Sequence, residues 1–211
     1  MLESAILTHA RAVNNLRKIA KQTSKLNWEH GKKWYRTAHL LAQSLTSDTV
    51  SLSCVCGVIA ALSPQCSWPE NIRAATELLQ NGKLGQNPKY AGYQANVDKA
   101  TRILHGENPL QVLGGQKVLA FYDNMLNYRT SMLVTIDTHA ARAAFNKLVL
   151  DPREISWVFR VNGNEVLQKA YQTVAKEYKT TPHVLQASLW LRVKDVINTD
   201  ASLNQLGLYV K

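Results

Sequence analysis

The stretch that decides the fold runs from Leu113 to Arg142 and reads LGGQKVLAFYDNMLNYRTSMLVTIDTHAAR. It opens on a Gly-Gly turn followed by Lys117, and apolar residues then recur at helical spacing over residues 118–125. Asp137 follows an apolar Val-Thr-Ile run and precedes an alanine-rich helical pattern, which the spacing extends to Val149. The stretch therefore predicts a turn, a helix, a connecting segment and a second helix that begins at Asp137.

The Gly-Gly turn is a candidate site for an anion. Glycine adopts positive φ without steric cost and leaves the backbone open to a ligand. A tight turn that begins a helix points free N–H groups outward, where the helix dipole also favours negative charge. Gly114, Gly115 and Gln116 could therefore hold a phosphate oxygen, although two adjacent glycines by themselves favour an ordinary turn between helices.

Helical periodicity continues through the rest of the chain, and no segment alternates convincingly as a strand does. The sequence therefore predicts an all-α protein of eight or nine helices. The helices outside the opening stretch are predicted over residues 3–22, 28–46, 50–62, 68–80, 97–104, 167–178 and 183–198, and the helix over residues 50–62 is apolar enough to be buried on all sides.

Three features mark the boundaries between these helices. Ser67 and Glu70 have the spacing of a capping box, which predicts a helix start. Asn, Gly and Pro residues over 81–88 predict a loop that includes Gly85 and Pro88. Asp-Pro and Asn-Gly pairs punctuate residues 151–163, which we interpret as a less regular stretch.

Composition favours a globular protein with an anionic partner. The chain has 211 residues, 45% of them hydrophobic, and a formal charge of +10 from 25 basic and 15 acidic residues. This excess of positive charge suits nucleic acid, although it is also compatible with a merely basic protein. No apolar run of about 20 residues occurs, and the N-terminus lacks the basic flank of a signal peptide, so we expect a cytoplasmic protein without a membrane span.

The opening stretch is similar to a motif pair of one known superfamily. Leu-Gly-Gly-Gln-Lys, followed by apolar-x-apolar-Asp-Thr-His with its aspartate twenty positions after the lysine, resembles the helix-hairpin-helix (HhH-GPD, endonuclease III-like) DNA glycosylases. The resemblance covers about residues 50–195. It implies one two-lobed helical domain over residues 1–211, with the hairpin and the catalytic aspartate within about residues 108–148 and an active-site cleft between the lobes.

The resemblance also implies an activity and a partner. Such an enzyme binds double-stranded DNA, flips a damaged or modified base out of the duplex and cleaves its N-glycosidic bond. We expect a monomer that needs no cofactor, in the cytoplasm, either associated with the nucleoid or in a phage-infected cell. Divergent members of the superfamily act on modified pyrimidines of phage DNA, so a role in phage DNA modification or in defence against it is implied.

Two residues would be catalytic by this resemblance. Asp137 would stabilise the positive charge that builds on the sugar, activate a water, or deprotonate an attacking amine. An N-cap role, for which aspartate is well suited, is its structural alternative. Lys117 would attack C1′ and form a Schiff base, giving AP-lyase activity, or else it binds phosphate or is solvated.

The remaining site residues contact DNA or form the base pocket. Gln65 would fill the gap left by the flipped nucleotide, or be a surface-loop glutamine. Arg142 would neutralise the DNA backbone or position Asp137, and His139 is a further DNA contact. Aromatic side chains could stack on the extruded base, although each is more typical of a core residue: Trp68, Tyr122, Trp34 and Tyr35.

The chain departs from the family pattern in two ways. Its hairpin lacks the proline and one residue of the usual Leu-Pro-Gly-x-Gly turn, which puts a bound monovalent cation in doubt. No cysteine follows Cys66, and Cys54 and Cys56 lack zinc-site spacing, so we predict neither an iron–sulfur cluster nor a metal. Two other functions stay open: a non-catalytic helix-hairpin-helix DNA-binding protein, and a phage-type base-hypermodification enzyme on the same fold.

Overall fold

The structure, a computed structural model, describes residues 6–82 and 94–205, with side chains as far as Asn198. No strand occurs in these ranges, where a single antiparallel bridge pairs Ser47 with Val50. The predicted all-α class is therefore confirmed. Eleven helices lie in the described ranges: α1 (His9–Gln22), α2 (Lys25–Ser44), α3 (Leu52–Leu62), α4 (Trp68–Asn81), α5 (Gln94–Leu104), α6 (Pro109–Val112), α7 (Gln116–Leu126), α8 (Thr138–Phe145), α9 (Pro152–Val158), α10 (Val161–Glu177) and α11 (Pro182–Gln205).

The chain folds into two compact units. The terminal unit contains the described residues before Tyr35 and after Ser131, and so holds α1, the start of α2 and helices α8 to α11. The central unit contains the described residues between 35 and 131, and so holds the rest of α2 and helices α3 to α7. The central unit is thus inserted, in chain order, between the two segments that build the terminal unit.

Helix α8 lies in the core of the terminal unit, where it packs against α1, α10 and α11. Five of its eight residues are buried, and four of these five are alanine. Small side chains let three helices approach α8 at once, because the distance between helix axes depends on side-chain size at the contact. Tyr171 of α10 is fully buried and donates its hydroxyl to the Ala140 carbonyl oxygen at 2.9 Å.

Helix α3 forms the core of the central unit. Every residue from Val55 to Leu62 is buried, so the predicted buried helix is confirmed over these residues, whereas residues 50–54 are half-buried or exposed. Helices α4, α5, α6 and α7 all pack against it. The Ser53 and Tyr122 hydroxyls are 2.8 Å apart, so the buried Tyr122 meets a polar partner at the edge of this core.

The helix that follows Asp137 is shorter than predicted. α8 ends at Phe145, because Asn146 adopts a left-handed conformation with φ of 52° and its N–H bonds back to the Ala143 carbonyl. The expected continuation to Val149 is therefore wrong, and the Val149 side chain is 79% exposed.

Two helices cover most of residues 151–163, contrary to the prediction of a less regular stretch, with a break at residues 159–160. Asp151 and Glu154 form a full capping box that begins α9. Gly163 is part of α10, where a Cβ would lie 2.0 Å from the Trp157 carbonyl oxygen. The glycine that looked like a turn signal is therefore needed for a close helix contact.

The other predicted boundaries have mixed outcomes. Ser67 precedes α4 as expected, but its hydroxyl donates to the Glu70 carboxylate at 2.8 Å and caps no backbone N–H, so the predicted capping box is wrong. α1 begins only at His9, because Thr8 caps it. The predicted loop at Gly85 and Pro88 lies outside the described residues. No helix in the described part of the chain is both long and apolar enough to cross a bilayer.

Candidate functional site

Asp137 stands at the point where a connecting segment enters the core of the terminal unit. The side chain of Gln168 pairs with Val134, accepting from its N–H at 2.8 Å and donating to its carbonyl at 2.6 Å. Val134 and Ile136 are fully buried, and they fix the segment immediately before Asp137. The apolar Val-Thr-Ile run therefore anchors the backbone that presents Asp137 at the start of α8.

Both carboxylate oxygens of Asp137 accept a hydrogen bond. Oδ1 accepts from the Ala140 N–H at 2.7 Å, so the predicted N-cap is confirmed. Oδ2 accepts from the indole Nε1–H of Trp190 in α11 at 2.9 Å. The side chain of Asp137 is half-buried, and among the described residues no basic group forms an ion pair with it. Two neutral donors thus orient the carboxylate of a half-buried residue.

Trp190 is itself held by neighbours on several sides. Its indole stacks on that of Trp34 with a centroid distance of 6.2 Å and an interplanar angle of 26°. The ring of His139 meets it edge-on at 5.5 Å, and the ammonium of Lys194 lies 4.9 Å from its centroid. These contacts fix the plane of the indole and hence the direction of the N–H bond toward Asp137.

His139 and Arg142 lie one turn apart on α8. Arg142 Nη1 is 3.4 Å from His139 Nδ1, and the guanidinium can only donate, so Nδ1 accepts and the proton of a neutral His139 resides on Nε2. Burial lowers the pKa of His139, the positive charges of Arg142 and Lys194 lower it further, and the negative charge of Asp137 opposes them. A neutral imidazole beside Asp137 is the result at neutral pH.

Arg142 and Tyr171 are two further polar side chains at α8 whose burial affects their hydrogen bonding or pKa. The Nε atom of Arg142 is buried and has no hydrogen-bond partner among the described residues. Burial raises the pKa of Tyr171 well above its usual value, and the negative charge of Asp137 adds to this effect. Tyr171 therefore remains a donor to α8 throughout the physiological range.

The hairpin of the central unit has the predicted open geometry. Gly115 has φ of 80°, a region that favours glycine, and it precedes α7 without any side chain capping the helix. Lys117 is half-buried in the first turn of α7. A Cβ on Gly114 would lie 3.6 Å from Lys99 Nζ, so a second lysine lies beside the turn. The exposed backbone of Gly114, Gly115 and Gln116 is therefore flanked by two lysines.

Gln65 occupies an unusual backbone conformation between α3 and α4. It is exposed and has φ of 57°, which few non-glycine residues adopt outside sites where the surroundings impose it. Nearby in sequence, Trp68 is half-buried and meets the ring of Phe121 edge-on at 6.4 Å. Gln65 is thus a locally strained, exposed residue, whichever role it has.

The structure divides the predicted aromatic residues between core and site. Tyr35 and Tyr122 are 3% and 5% exposed, so both belong to the core of the central unit. Trp34 is half-buried and, through Trp190, belongs to the neighbourhood of Asp137. Sequence reasoning missed Trp190 as a partner of Asp137, because the two residues are 53 positions apart and share no local spacing.

Comparison with known protein families identifies the family of this chain. A model described as a family of unknown function (DUF7178) matches residues 1–196. The chain therefore belongs to this family. No curated protein and no solved structure matches it.

Proposed function

We propose that this protein is a DNA glycosylase of the helix-hairpin-helix type, which flips a damaged or modified base out of double-stranded DNA and cleaves its N-glycosidic bond. The observation that carries the proposal is the carboxylate of Asp137, which two neutral donors orient while it remains half-buried and without an ion-pair partner among the described residues. An acid held in this way can act on positive charge that develops on a substrate.

The proposed chemistry assigns Asp137 the task of stabilising the sugar cation. Cleavage of the N-glycosidic bond moves an electron pair to the base and leaves positive charge on the sugar. A carboxylate already oriented by Ala140 and Trp190 needs little reorganisation to stabilise that charge. His139, through its Nε2–H, and Arg142 would contact phosphate or substrate oxygens on either side of the reacting sugar.

The hairpin supports a DNA partner for the same proposal. An uncapped helix start with exposed glycine backbone offers N–H groups to a phosphate oxygen, and Lys99 adds positive charge beside it. In this proposal Lys117 either attacks C1′, giving a lyase, or binds phosphate, in which case a water completes base release. Gln65 would enter the gap in the duplex, since its exposed and strained position favours a role outside the core.

The chain order of the two units supports the finer fold assignment. The hairpin lies in the central unit, and Asp137 follows six residues after the chain leaves that unit at Ser131. A two-lobed HhH-GPD fold has its hairpin and its aspartate in this order along the chain. We include in the proposal a monomeric protein that acts in the cytoplasm.

The decisive experiment is a panel of duplexes that carry damaged and phage-type modified bases, with base release detected by alkali cleavage. Asp137→Asn is the test variant, because asparagine also caps helices and the fold should persist. We expect base release from at least one duplex and a loss of at least about a hundredfold with Asp137→Asn. Glu165→Gln, which also removes one negative charge but from an exposed position on α10, is the matched control. Release by Asp137→Asn at the wild-type rate would exclude the catalytic role.

Two other outcomes of the same panel point to other functions. Salt-sensitive duplex binding without release of any base would favour a non-catalytic DNA-binding protein in which Asp137 is only a cap. A change of nucleoside mass without base loss would favour hypermodification. Borohydride trapping distinguishes the two proposed roles of Lys117, since only a Schiff base is trapped, and Lys117→Gln should abolish the trapped species.

A further inference from the structure

Positive charge is concentrated near the start of the described chain. Residues 6–28 contain five Lys or Arg side chains and no Asp or Glu. Most solvated helix faces mix the two signs, which adds pairs of opposite charge three or four residues apart. α1 has no acidic residue with which to make such a pair. Its charge distribution is therefore more one-sided than solubility requires.

Three of these basic residues form a stripe along α1. Arg11, Lys18 and Lys21 are all exposed, and their spacings of seven and three place them on one face of the helix. The buried residues of α1 lie on the opposite face, about 180° away around the axis at 3.6 residues per turn: Ala12, Val13, Leu16 and Ala20. The stripe thus points directly away from the core, and it spans about 15 Å at 1.5 Å per residue.

The stripe residues make no competing contact with an acidic side chain in the part of the chain that the structure describes. None of Arg11, Lys18 and Lys21 forms an ion pair within the described residues. Arg17, by contrast, is held by two hydrogen bonds to Glu177, at 2.6 and 2.9 Å. Arg11 also lies in the first turn of α1, where the helix dipole disfavours a cation. Lys21, in the last turn, suits the helix dipole, so local stabilisation accounts for Lys21 but not for Arg11 or Lys18.

We propose that the stripe of Arg11, Lys18 and Lys21 is a second DNA-binding surface, which contacts the phosphate backbone of a duplex without reading its sequence. A span of about 15 Å covers roughly four steps of one strand at 3.4 Å each, enough for several phosphates. The opposite face of α1 packs against α8, where Asn15 donates to the Ala144 carbonyl at 2.9 Å. The stripe is therefore separate from the contacts proposed for His139 and Arg142.

The alternative polyanion, an anionic membrane surface, fits less well. A helix that binds a membrane lays an apolar face into the lipid beside its basic residues. The apolar face of α1 is already buried in the protein core. The exposed side of α1 thus carries positive charge but no exposed large apolar side chain that could insert into lipid. This suits binding to the phosphates of a DNA duplex. The inference shares the duplex partner of the proposed function but needs no base release.

The test measures how the affinity for a plain, undamaged duplex depends on salt. The triple variant Arg11→Gln, Lys18→Gln and Lys21→Gln keeps good helix formers on an exposed face. If each residue meets one phosphate, the slope of log affinity against log salt should fall in magnitude by about 2.7, or about 0.9 per contact. The matched control removes three charges from side chains that already lie beside carboxylates: Arg73→Gln, Arg102→Gln and Arg153→Gln.

The control variant should change the slope by less than about 0.9, the value expected for one phosphate contact. The charge-retaining variant Lys18→Arg with Lys21→Arg should keep the wild-type slope, which separates loss of charge from loss of fold. Equal slopes for the stripe variant and the control would overturn the proposal, as would absent duplex binding by the wild type. Binding to vesicles of anionic lipid that the stripe variant loses, while duplex binding is unchanged, would assign the stripe to membranes instead. Base release is scored separately, so either proposal can fail alone.

Discussion

The hydrogen bond from Trp190 to Asp137 gives the sharpest prediction. Trp190→Phe removes the indole N–H that lies 2.9 Å from Oδ2 and retains much of the ring. A hydrogen bond to a charged group contributes about 1.5–3 kcal/mol, and we expect the lower end because Asp137 is half-buried and water can partly replace the donor. The lost ring volume should cost about 1 kcal/mol more, so the free energy of unfolding should fall by about 2–3 kcal/mol in total.

A double-mutant cycle separates these two contributions. Asp137→Ser keeps an N-cap oxygen but removes the acceptor for Trp190. Trp190→Phe should then cost about 1–2 kcal/mol less in the Asp137→Ser background than in the wild type, measured by urea unfolding. Trp34→Phe is the control, because Trp34 stacks on Trp190 without a hydrogen bond to Asp137. A coupling free energy below about 0.5 kcal/mol for Trp190 would refute the reasoning.

Three further predictions concern the same unit. Because the pKa of His139 is lowered in the folded protein, the unfolded chain binds a proton at this residue at higher pH than the folded protein does. The melting temperature should therefore fall as the pH drops below about 6.5 and through the folded pKa. His139→Gln should make this fall less steep, and an equal fall in the variant and the wild type would contradict the prediction. Gly163→Ala should cost about 3 kcal/mol in urea unfolding, because the Cβ would meet the Trp157 carbonyl oxygen at 2.0 Å; an unchanged midpoint would show that α10 shifts freely. Gln168→Leu should cost at least about 2 kcal/mol by leaving two groups of Val134 unpaired, whereas a cost below about 0.5 kcal/mol would mean that water replaces them.

Hydrophobic periodicity predicted helices whose buried residues form a clear pattern along the sequence. It failed where the backbone conformation of one residue decides where a helix ends. α3 was predictable because all its faces are buried, so a continuous apolar run defines it. The end of α8 was not, because the apolar spacing continues past Phe145 while Asn146 turns the chain. Gly163 misled for a related reason: its sequence context is typical of a turn, whereas a tertiary contact with Trp157 requires it.

The same division holds for the candidate site. The cap made by Asp137 was predictable, since it depends on residues three positions apart. The protonation state of His139 was not, because burial, the largest cause of its lowered pKa, depends on tertiary packing, whereas Asp137 and Arg142 lie close in sequence and Lys194 adds the smallest effect. The role of Trp190 depends on how α11 packs against α8, and no local pattern encodes that contact. Local chemistry could thus be predicted from the sequence, and the surroundings that tune it could not.

The two carboxylate oxygens of Asp137 give different evidence on whether this residue is only a helix cap. Its Oδ1 completes the N-terminus of α8, which asparagine or serine could do as well. Its Oδ2 is engaged by a tryptophan whose ring is fixed by three neighbours, and a cap does not need this second donor. A purely structural Asp137 therefore predicts that Asp137→Asn and Asp137→Ser lose some stability, because Trp190 loses its charged acceptor, but leave base release at the wild-type rate. A catalytic Asp137 predicts that both variants keep the fold and lose base release together, because neither carries the negative charge.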